Sequence, residues 1–372
     1  MNDLIPPLVS DGQILAEVNG CLGLITLNRP QALNALSLAM IRDMTALLNH
    51  WATRPEIQAV AVLGAAREGK PPAFCAGGDI RFFHQAAHAG DPALGEFFTE
   101  EYRLNHLIHG YPKPYVALMD GIVMGGGMGI SQGAKLRVLS ERSKLAMPET
   151  AIGLFPDVGG GWFLAQCPGH VGEWLALAGQ SIAAGDAIEW GLGDVFVPAA
   201  QWPELVQALR ESPQPSAEHV VATVMERADL APMADPKAAA ERIDRHFGEP
   251  TLAAILASLA AAGDDWARQT HEQLLHRSPT MMAVTLELVR RGRKLSLADD
   301  LRLERDLVHH CFHLRGSADR SETVEGIRAL AVDKDHKPHW RPAAVAEIDP
   351  QEVAAFFVSP WTPAQHPLRD LE

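Results

Sequence analysis

The 372-residue chain is poor in cysteine, with only Cys21, Cys75, Cys167 and Cys311, and no two of them form a C-x-x-C pair. That spacing excludes a disulfide framework and a cysteine zinc knuckle, and it suits a reducing compartment. Long apolar runs are missing too: none reaches 18 residues, so no membrane-spanning helix is expected. Positive charge is short, with 32 Lys and Arg against 46 Asp and Glu and a net charge of −14. Such a balance argues against general binding to nucleic acid or to an anionic membrane, and an anionic substrate needs a local basic patch. The opening MNDLIPPLVSDGQ lacks a basic region followed by an apolar run, and it is not Arg-rich. Neither a secretory signal nor a transit peptide is expected from it, and a cytoplasmic protein is.

What is present reads as a globular enzyme-sized chain. Hydrophobic residues make up 47% and charged residues 21%, a globular balance, and the length suits one large domain or two of ordinary size. Apolar stretches at 14–18 and 22–27 flank Asn19-Gly20, a hairpin signal. Leu36, Met40, Met44, Leu47, Leu48 and Trp51 fall three or four apart, which predicts a helix over 37–51 capped by Ser37. Val60–Leu63 reads as a buried strand, and Ala73-Phe-Cys-Ala-Gly-Gly-Asp-Ile80 as a strand and then a turn, with a helix from Ile80. A helix is expected over 91–111, then two more within 171–192 and a closing strand at Val195–Val197. Pro198, Pro203, Pro213 and Pro215 mark a composition shift near 198–216. Beyond it the chain is Ala- and Leu-rich with helical periodicity, and Ser278-Pro279 reads as a cap and first residue of a helix through Arg290. The expected division is therefore 1–200 for the site-bearing core and 201–372 for a mostly helical region.

The densest chemistry lies between Gly121 and Gly161. Tyr115–Met119 is strand-like, a glycine run follows at Gly125, Gly126 and Gly127, and MGISQGAKL can wind as a helix. Glycines between a strand and a helix can expose N–H groups to an anion or a developing oxyanion. Glu149 and Asp157 come next, eight residues apart and each beside a proline, and a second glycine run closes the stretch at Gly159, Gly160 and Gly161. Tight packing alone also explains glycines. A dinucleotide fingerprint fits poorly, because its third glycine position holds Ile130 and no clear second βαβ unit follows. Gly129-Ile-Ser131-Gln-Gly133 matches G-x-S-x-G, but Ser131 falls past the expected elbow, inside the helix.

Taken together, PKPYVALMDGIVMGGGMGIS, AMPETAIGLFPDVGGG and FCAGGDIR resemble the crotonase (enoyl-CoA hydratase/isomerase) superfamily, and within it the 3-hydroxyisobutyryl-CoA hydrolase branch. The likeness runs over about residues 14–345 and returns at Glu325-Gly-Ile-Arg-Ala329 and Asp333-Lys-Asp335. It implies an α/β fold, a crotonase-like spiral of ββα units with a C-terminal α-helical region. It also implies oxyanion N–H donors at Gly78 and Gly126, a catalytic carboxylate at Glu149, a partner carboxylate at Asp157, and a substrate-facing Glu101 from an E-E-Y run. The chain around Asn34 and Ala35 in NRPQALNAL is placed near CoA by the same likeness, although an ordinary turn explains it equally well.

The expected chemistry is hydrolysis of 3-hydroxyisobutyryl-CoA or a close β-hydroxyacyl-CoA, with valine catabolism as the context. Thioester hydrolysis needs an oxyanion site, a carboxylate that attacks or activates water, and recognition of the acyl group. Two carboxylates in one cavity have their protonation pushed apart by burial and like charge, which suits acid/base work. Hydratases of the superfamily usually carry a further glutamate three residues after the oxyanion glycine; here that position is Gly129. Hydratase or isomerase chemistry is thus the alternative on the same fold, with a Ser131 hydrolase or a non-catalytic CoA-binding protein behind it. No cofactor is expected, CoA being part of the substrate, and no metal, although His309 and His313 form an i, i+4 pair. The expected partner is an acyl-CoA, with no nucleic acid and no membrane, and a homo-oligomer is left open.

Overall fold

A computed structural model describes residues 4–70, 72–211, 216–232 and 236–372. The chain opens with β1 (Ile14–Asn19) and β2 (Leu22–Leu27), an antiparallel pair with Asn19 opposite Leu22, as the Asn19-Gly20 signal predicts. Next comes α1 (Leu38–Ala52), whose cap Ser37 accepts from Met40 N at 3.3 Å. There follow β3 (Ala59–Gly64), β4 (Ala73–Cys75), α2 (Ile80–Ala89), α3 (Ala93–His109), β5 (Tyr115–Met119), β6 (Ile122–Met124), α4 (Gly126–Gln132), β7 (Leu136–Leu139) and β8 (Lys144–Ala146). A 3-10 turn at Glu149–Ile152 leads to α5 (Gly160–Ala165), α6 (Val171–Ala178), α7 (Ala184–Glu189) and the last strand, β9 (Val195–Phe196).

Beyond β9 the described residues hold helices and turns only. These are α8 (Trp202–Glu211), α9 (Ala217–Met225), α10 (Pro236–Phe247), α11 (Leu252–Ala262), α12 (Asp265–Leu275), α13 (Pro279–Gly292), α14 (Leu297–His313), α15 (Glu322–Ile327) and α16 (Pro350–Phe356). The cap at Ser278 is as expected, its Oγ accepting from Met281 N at 3.3 Å. Of the four prolines read as a boundary, Pro213 and Pro215 lie outside the described residues.

Two sheets result. The larger runs β1-β2-β3-β5-β7-β9, parallel from β2 onward, and the smaller runs β4-β6-β8. Consecutive strands alternate between them: β3 then β4, β5 then β6, β7 then β8, each pair followed by helix. This is the expected ββα repeat, and it rules out one doubly wound sheet. Strands buried on both faces need nearly unbroken apolar sequence, which LGLITL, AVAVLG and YVALM supply. On one face Leu22, Leu24, Ala59, Ala61, Val116, Leu118 and Val138 pack under Trp202, Leu205, Leu209 and Val220. The fully buried stripe of α1 packs against β1 and β2, each such side chain contributing about 1.5–3 kcal/mol.

By its contacts the chain divides into two compact units, each made of three stretches. The first comprises Met1–Gly78, Arg103–Leu145 and Ile182–Ala234; the second comprises Asp79–Tyr102, Ala146–Ser181 and Asp235–Glu372. The division expected at residue 200 therefore does not follow the contacts. The physical reason is packing: α8 and α9 close the large sheet's face, whereas α5 and α6 pack on α13, and α2 packs on α15.

Candidate active site

The first unit carries the glycine loops. Parallel pairing of β4 with β6 sets the turn after Cys75 beside the turn after Met124. A Cβ on Gly77 would lie 3.7 Å from Gly126 N, so the two loops meet there. Gly126 is the first residue of α4, where an N–H has no intrahelical acceptor. Gly127 serves packing: a Cβ there would fall 2.3 Å from the Cys75 carbonyl oxygen. Leu36 N donates to Gly77 O at 2.8 Å, and Leu36 pairs with Gly78 in an isolated parallel bridge. Asn34 is fully buried and ties this region together, donating from Nδ2 to Ala73 O at 2.8 Å and to Ala65 O at 3.0 Å.

Ser131 is not at a strand-to-helix elbow. It sits inside α4, fully buried, with Oγ donating to Gly127 O at 2.8 Å and near Met128 O at 3.1 Å. A hydroxyl committed to carbonyls of its own helix is not set up as a nucleophile.

The second unit carries the carboxylates. Glu101, Glu149 and Asp157 are 2%, 6% and 5% exposed, so the ordinary solvated reading of acidic residues fails for all three. Glu101 lies on α3, Glu149 opens the 3-10 turn, and Asp157 ends the Phe155-Pro156-Asp157 loop. Tyr102, fully buried, donates its hydroxyl to Asp157 Oδ2 at 2.8 Å. Its ring is fixed by Phe98, which packs in turn on Phe83 and Phe312. Glu101 Oε1 and Glu149 Oε2 have no hydrogen-bond partner among the described residues.

The turn bearing Glu149 is held by the C-terminal helices. Thr323 Oγ1 donates to Gly153 O at 2.6 Å, and Ser278 N donates to Thr150 O at 3.2 Å. Helix α15 crosses so closely that a Cβ on Gly326 would lie 2.3 Å from the Ile152 carbonyl carbon. The Glu-Gly-Ile-Arg run thus has a physical role, because only glycine lets α15 approach the turn that bears Glu149.

Burial sets the protonation of the cluster. Desolvation, then Asp157 and Glu149, hold the Glu101 carboxyl well above the ordinary range. Desolvation and then Asp157 do the same to Glu149. Asp157 is pushed up only to about 6, because the Tyr102 hydroxyl bond stabilises its charged form. Burial and like charge thus favour the protonated form across the cluster, and the Tyr102 bond offsets this in part at Asp157.

Two acidic residues of α14 were missed by the sequence reading. Glu304 accepts from Gly159 N at 2.7 Å and from Gly161 N at 3.0 Å, and Asp300 accepts from Trp162 N at 2.8 Å. Both are fully buried. Asp300, Glu304, Leu307 and Cys311 form one buried stripe, and acids continuing an apolar stripe were the available signal. Of the histidines, His310 Nε2 lies 2.7 Å from Val358 O, and the His309 ring packs on His313 and Trp361. All four cysteines are buried, and none forms a disulfide among the described residues.

A family model described as Enoyl-CoA hydratase/isomerase matches residues 22–357. A relative from Xenopus tropicalis named "3-hydroxyisobutyryl-CoA hydrolase, mitochondrial" is 40% identical over 94% of this chain and 90% of its own. A solved structure named as a carnitinyl-CoA dehydratase from Mycobacterium thermoresistibile aligns with a TM-score of 0.85 at 38% identity, covering 93% of this chain and 96% of its own. Another, named as an enoyl-CoA hydratase from Rhodobacter sphaeroides 2.4.1, aligns with a TM-score of 0.83 at 38% identity, covering 94% and 98%. The word mitochondrial in the hydrolase relative's name overturns the cytoplasmic expectation.

Proposed function

The chain belongs to the enoyl-CoA hydratase/isomerase family, and from that premise we propose that it hydrolyses the thioester of 3-hydroxyisobutyryl-CoA, or a close β-hydroxyacyl-CoA, to the free hydroxy acid and CoA. The observation that carries the reading is the buried cluster of Glu101, Glu149 and Asp157, present in a chain 40% identical to a relative of that name. Valine catabolism is the context the substrate implies, and CoA arrives as part of that substrate.

In this reading the N–H groups of Gly78 and Gly126 receive the thioester oxygen as it gains charge, each such donor being worth about 2.7–4 kcal/mol. Glu149, once ionised, either attacks the thioester carbon, expelling the CoA thiolate and leaving an anhydride that water then hydrolyses to the free acid, or takes a proton from water. Asp157 bonds the acyl hydroxyl, and Glu101 lines the acyl group. When water is the nucleophile, its hydroxyl joins the acyl carbon as the C–S bond breaks, and the thiolate takes a proton. Burial favours the protonated form of Glu101 and Glu149, so a carboxyl of the cluster can supply that proton.

Hydration is the second reading, favoured by the names of the two solved structures. Gly129 stands against it, since the likeness to hydratases places a second glutamate there. Free-thiol release across a panel of acyl-CoAs, read beside enoyl absorbance, separates the two. Thiol release greatest with 3-hydroxyisobutyryl-CoA is expected; loss of the enoyl band with no thiol release assigns hydration instead.

A further inference from the structure

The turn between Asp157 and α5 is strained. Val158 has φ of 58°, in the left-handed region, which is a genuine outlier for a β-branched side chain. Strain of this kind persists where the surroundings over-determine it, and it gathers at functional sites. Here the surroundings are three backbone N–H groups immediately downstream, each taken by a carboxyl of α14. Glu304 bridges Gly159 N and Gly161 N, and Asp300 holds Trp162 N. A Cβ on Gly161 would lie 2.4 Å from Asp300 Oδ1, so the second glycine run is what lets these acids reach the backbone.

We propose that Glu304, with Asp300, is a positioning residue: it clamps the second glycine run, keeps Val158 in its strained conformation, and so aims Asp157 at the acyl hydroxyl. Asp157 is then fixed from two sides, its backbone through the clamp and its carboxylate through Tyr102. The inference also reassigns the glycine run Gly159–Gly161, whose first-turn N–H groups bind an internal carboxyl and are not offered to substrate. Burial, then Asp300 and Asp157, push the Glu304 carboxyl well above the ordinary range. The part concerning Asp157 rests on the hydrolase reading; the clamp itself does not.

The test uses the full-length enzyme and Glu304→Gln. The amide keeps the shape but presents one acceptor oxygen, so one of the two N–H bonds is lost. Steady-state thiol release is measured on 3-hydroxyisobutyryl-CoA and on isobutyryl-CoA, with thermal unfolding to confirm that the variant is folded at the assay temperature. The expected result is a kcat about tenfold lower with KM little changed, and a similar loss of preference for the hydroxylated substrate. Glu304→Asp keeps the acid but is one methylene too short to reach both N–H groups, and the same pattern is expected from it. A role in stability alone would lower the unfolding temperature and leave kcat and preference per folded molecule unchanged, which overturns the proposal. Amide hydrogen exchange of the wild-type peptide over 157–162 stands apart from substrate and variants. Slow exchange at Gly159 and Gly161 is expected, and fast exchange there ends the clamp. A wild-type enzyme that releases no thiol, with Gly159 and Gly161 still protected, sinks the hydrolase reading and leaves the clamp standing.

Discussion

At the scale of single residues, the division of protonation within the cluster follows from one hydrogen bond. Glu101, Glu149 and Asp157 are all desolvated, but Asp157 also receives the Tyr102 hydroxyl at 2.8 Å. A donor that stabilises the carboxylate lowers its pKa, and removing the donor raises it. If Asp157 works ionised, kcat/KM should fall as pH drops below about 6. Tyr102→Phe should therefore move this acidic limb to higher pH, with a lower kcat on the plateau as well, because Tyr102 also fixes the carboxylate. A pH–rate profile of the two enzymes checks this, and a limb that stays in place removes Asp157 as the group responsible. Glu149 and Asp157 were legible as candidates because both stand in one long motif, and Glu101 because of the short E-E-Y run. Tyr102 belongs to the same E-E-Y run, but nothing in sequence puts residue 102 beside residue 157. Asp300 and Glu304 were read past because acids on a helix are usually solvated.

At the scale of elements, strands and caps were the readable part. Ser37 and Ser278 cap the helices they were expected to cap, and the Asn19-Gly20 hairpin forms in register. Helix α4 was placed too far along: it starts at Gly126 and ends at Gln132, ahead of β7. Glycine's low helix propensity hid its first turn, and packing on β4 and β6 overrides that propensity. The role of α15 could not be read at all, because it depends on a backbone approach between residues 152 and 326. That approach makes a clear expectation. Gly326→Ala places a methyl against the Ile152 backbone, which cannot yield as a flexible side chain would. Overpacking of this sort typically costs about 1–3 kcal/mol, and here the displaced turn carries Glu149. Denaturant unfolding should show the loss, with kcat falling more than KM rises. Wild-type stability and turnover would mean that α15 does not hold that turn.

At the scale of the whole molecule, the units do not follow chain order. Composition suggested a cut at residue 200, but the three carboxylates share a unit with residues 235–372. A composition shift marks a change of secondary structure, and it does not say which stretches pack together. The buried acids give the folded chain a pH signature. Asp157 and Asp300 are raised to about 6 and about 7, above the values they have when unfolded. The folded state therefore holds more protons between those limits. Their contribution to stability is full below the unfolded pKa and is lost as pH rises through the folded one. Asp300→Asn removes one such group and can keep the bond to Trp162 N through its amide oxygen. Its unfolding temperature should fall less between pH 5.5 and pH 8 than that of wild type, measured by thermal scans across that range. A fall equal to or steeper than wild type would contradict the assignment.

The claim on which the rest depends is that a buried carboxyl of the second unit performs the hydrolysis. The most direct measurement is steady-state thiol release from 3-hydroxyisobutyryl-CoA by Glu149→Gln beside the wild-type enzyme. The amide preserves shape and removes both nucleophilic and basic character, so kcat should fall about 10²-fold or more, with binding of the acyl-CoA largely kept. A Glu149→Gln enzyme that turns over at the wild-type rate would contradict the account.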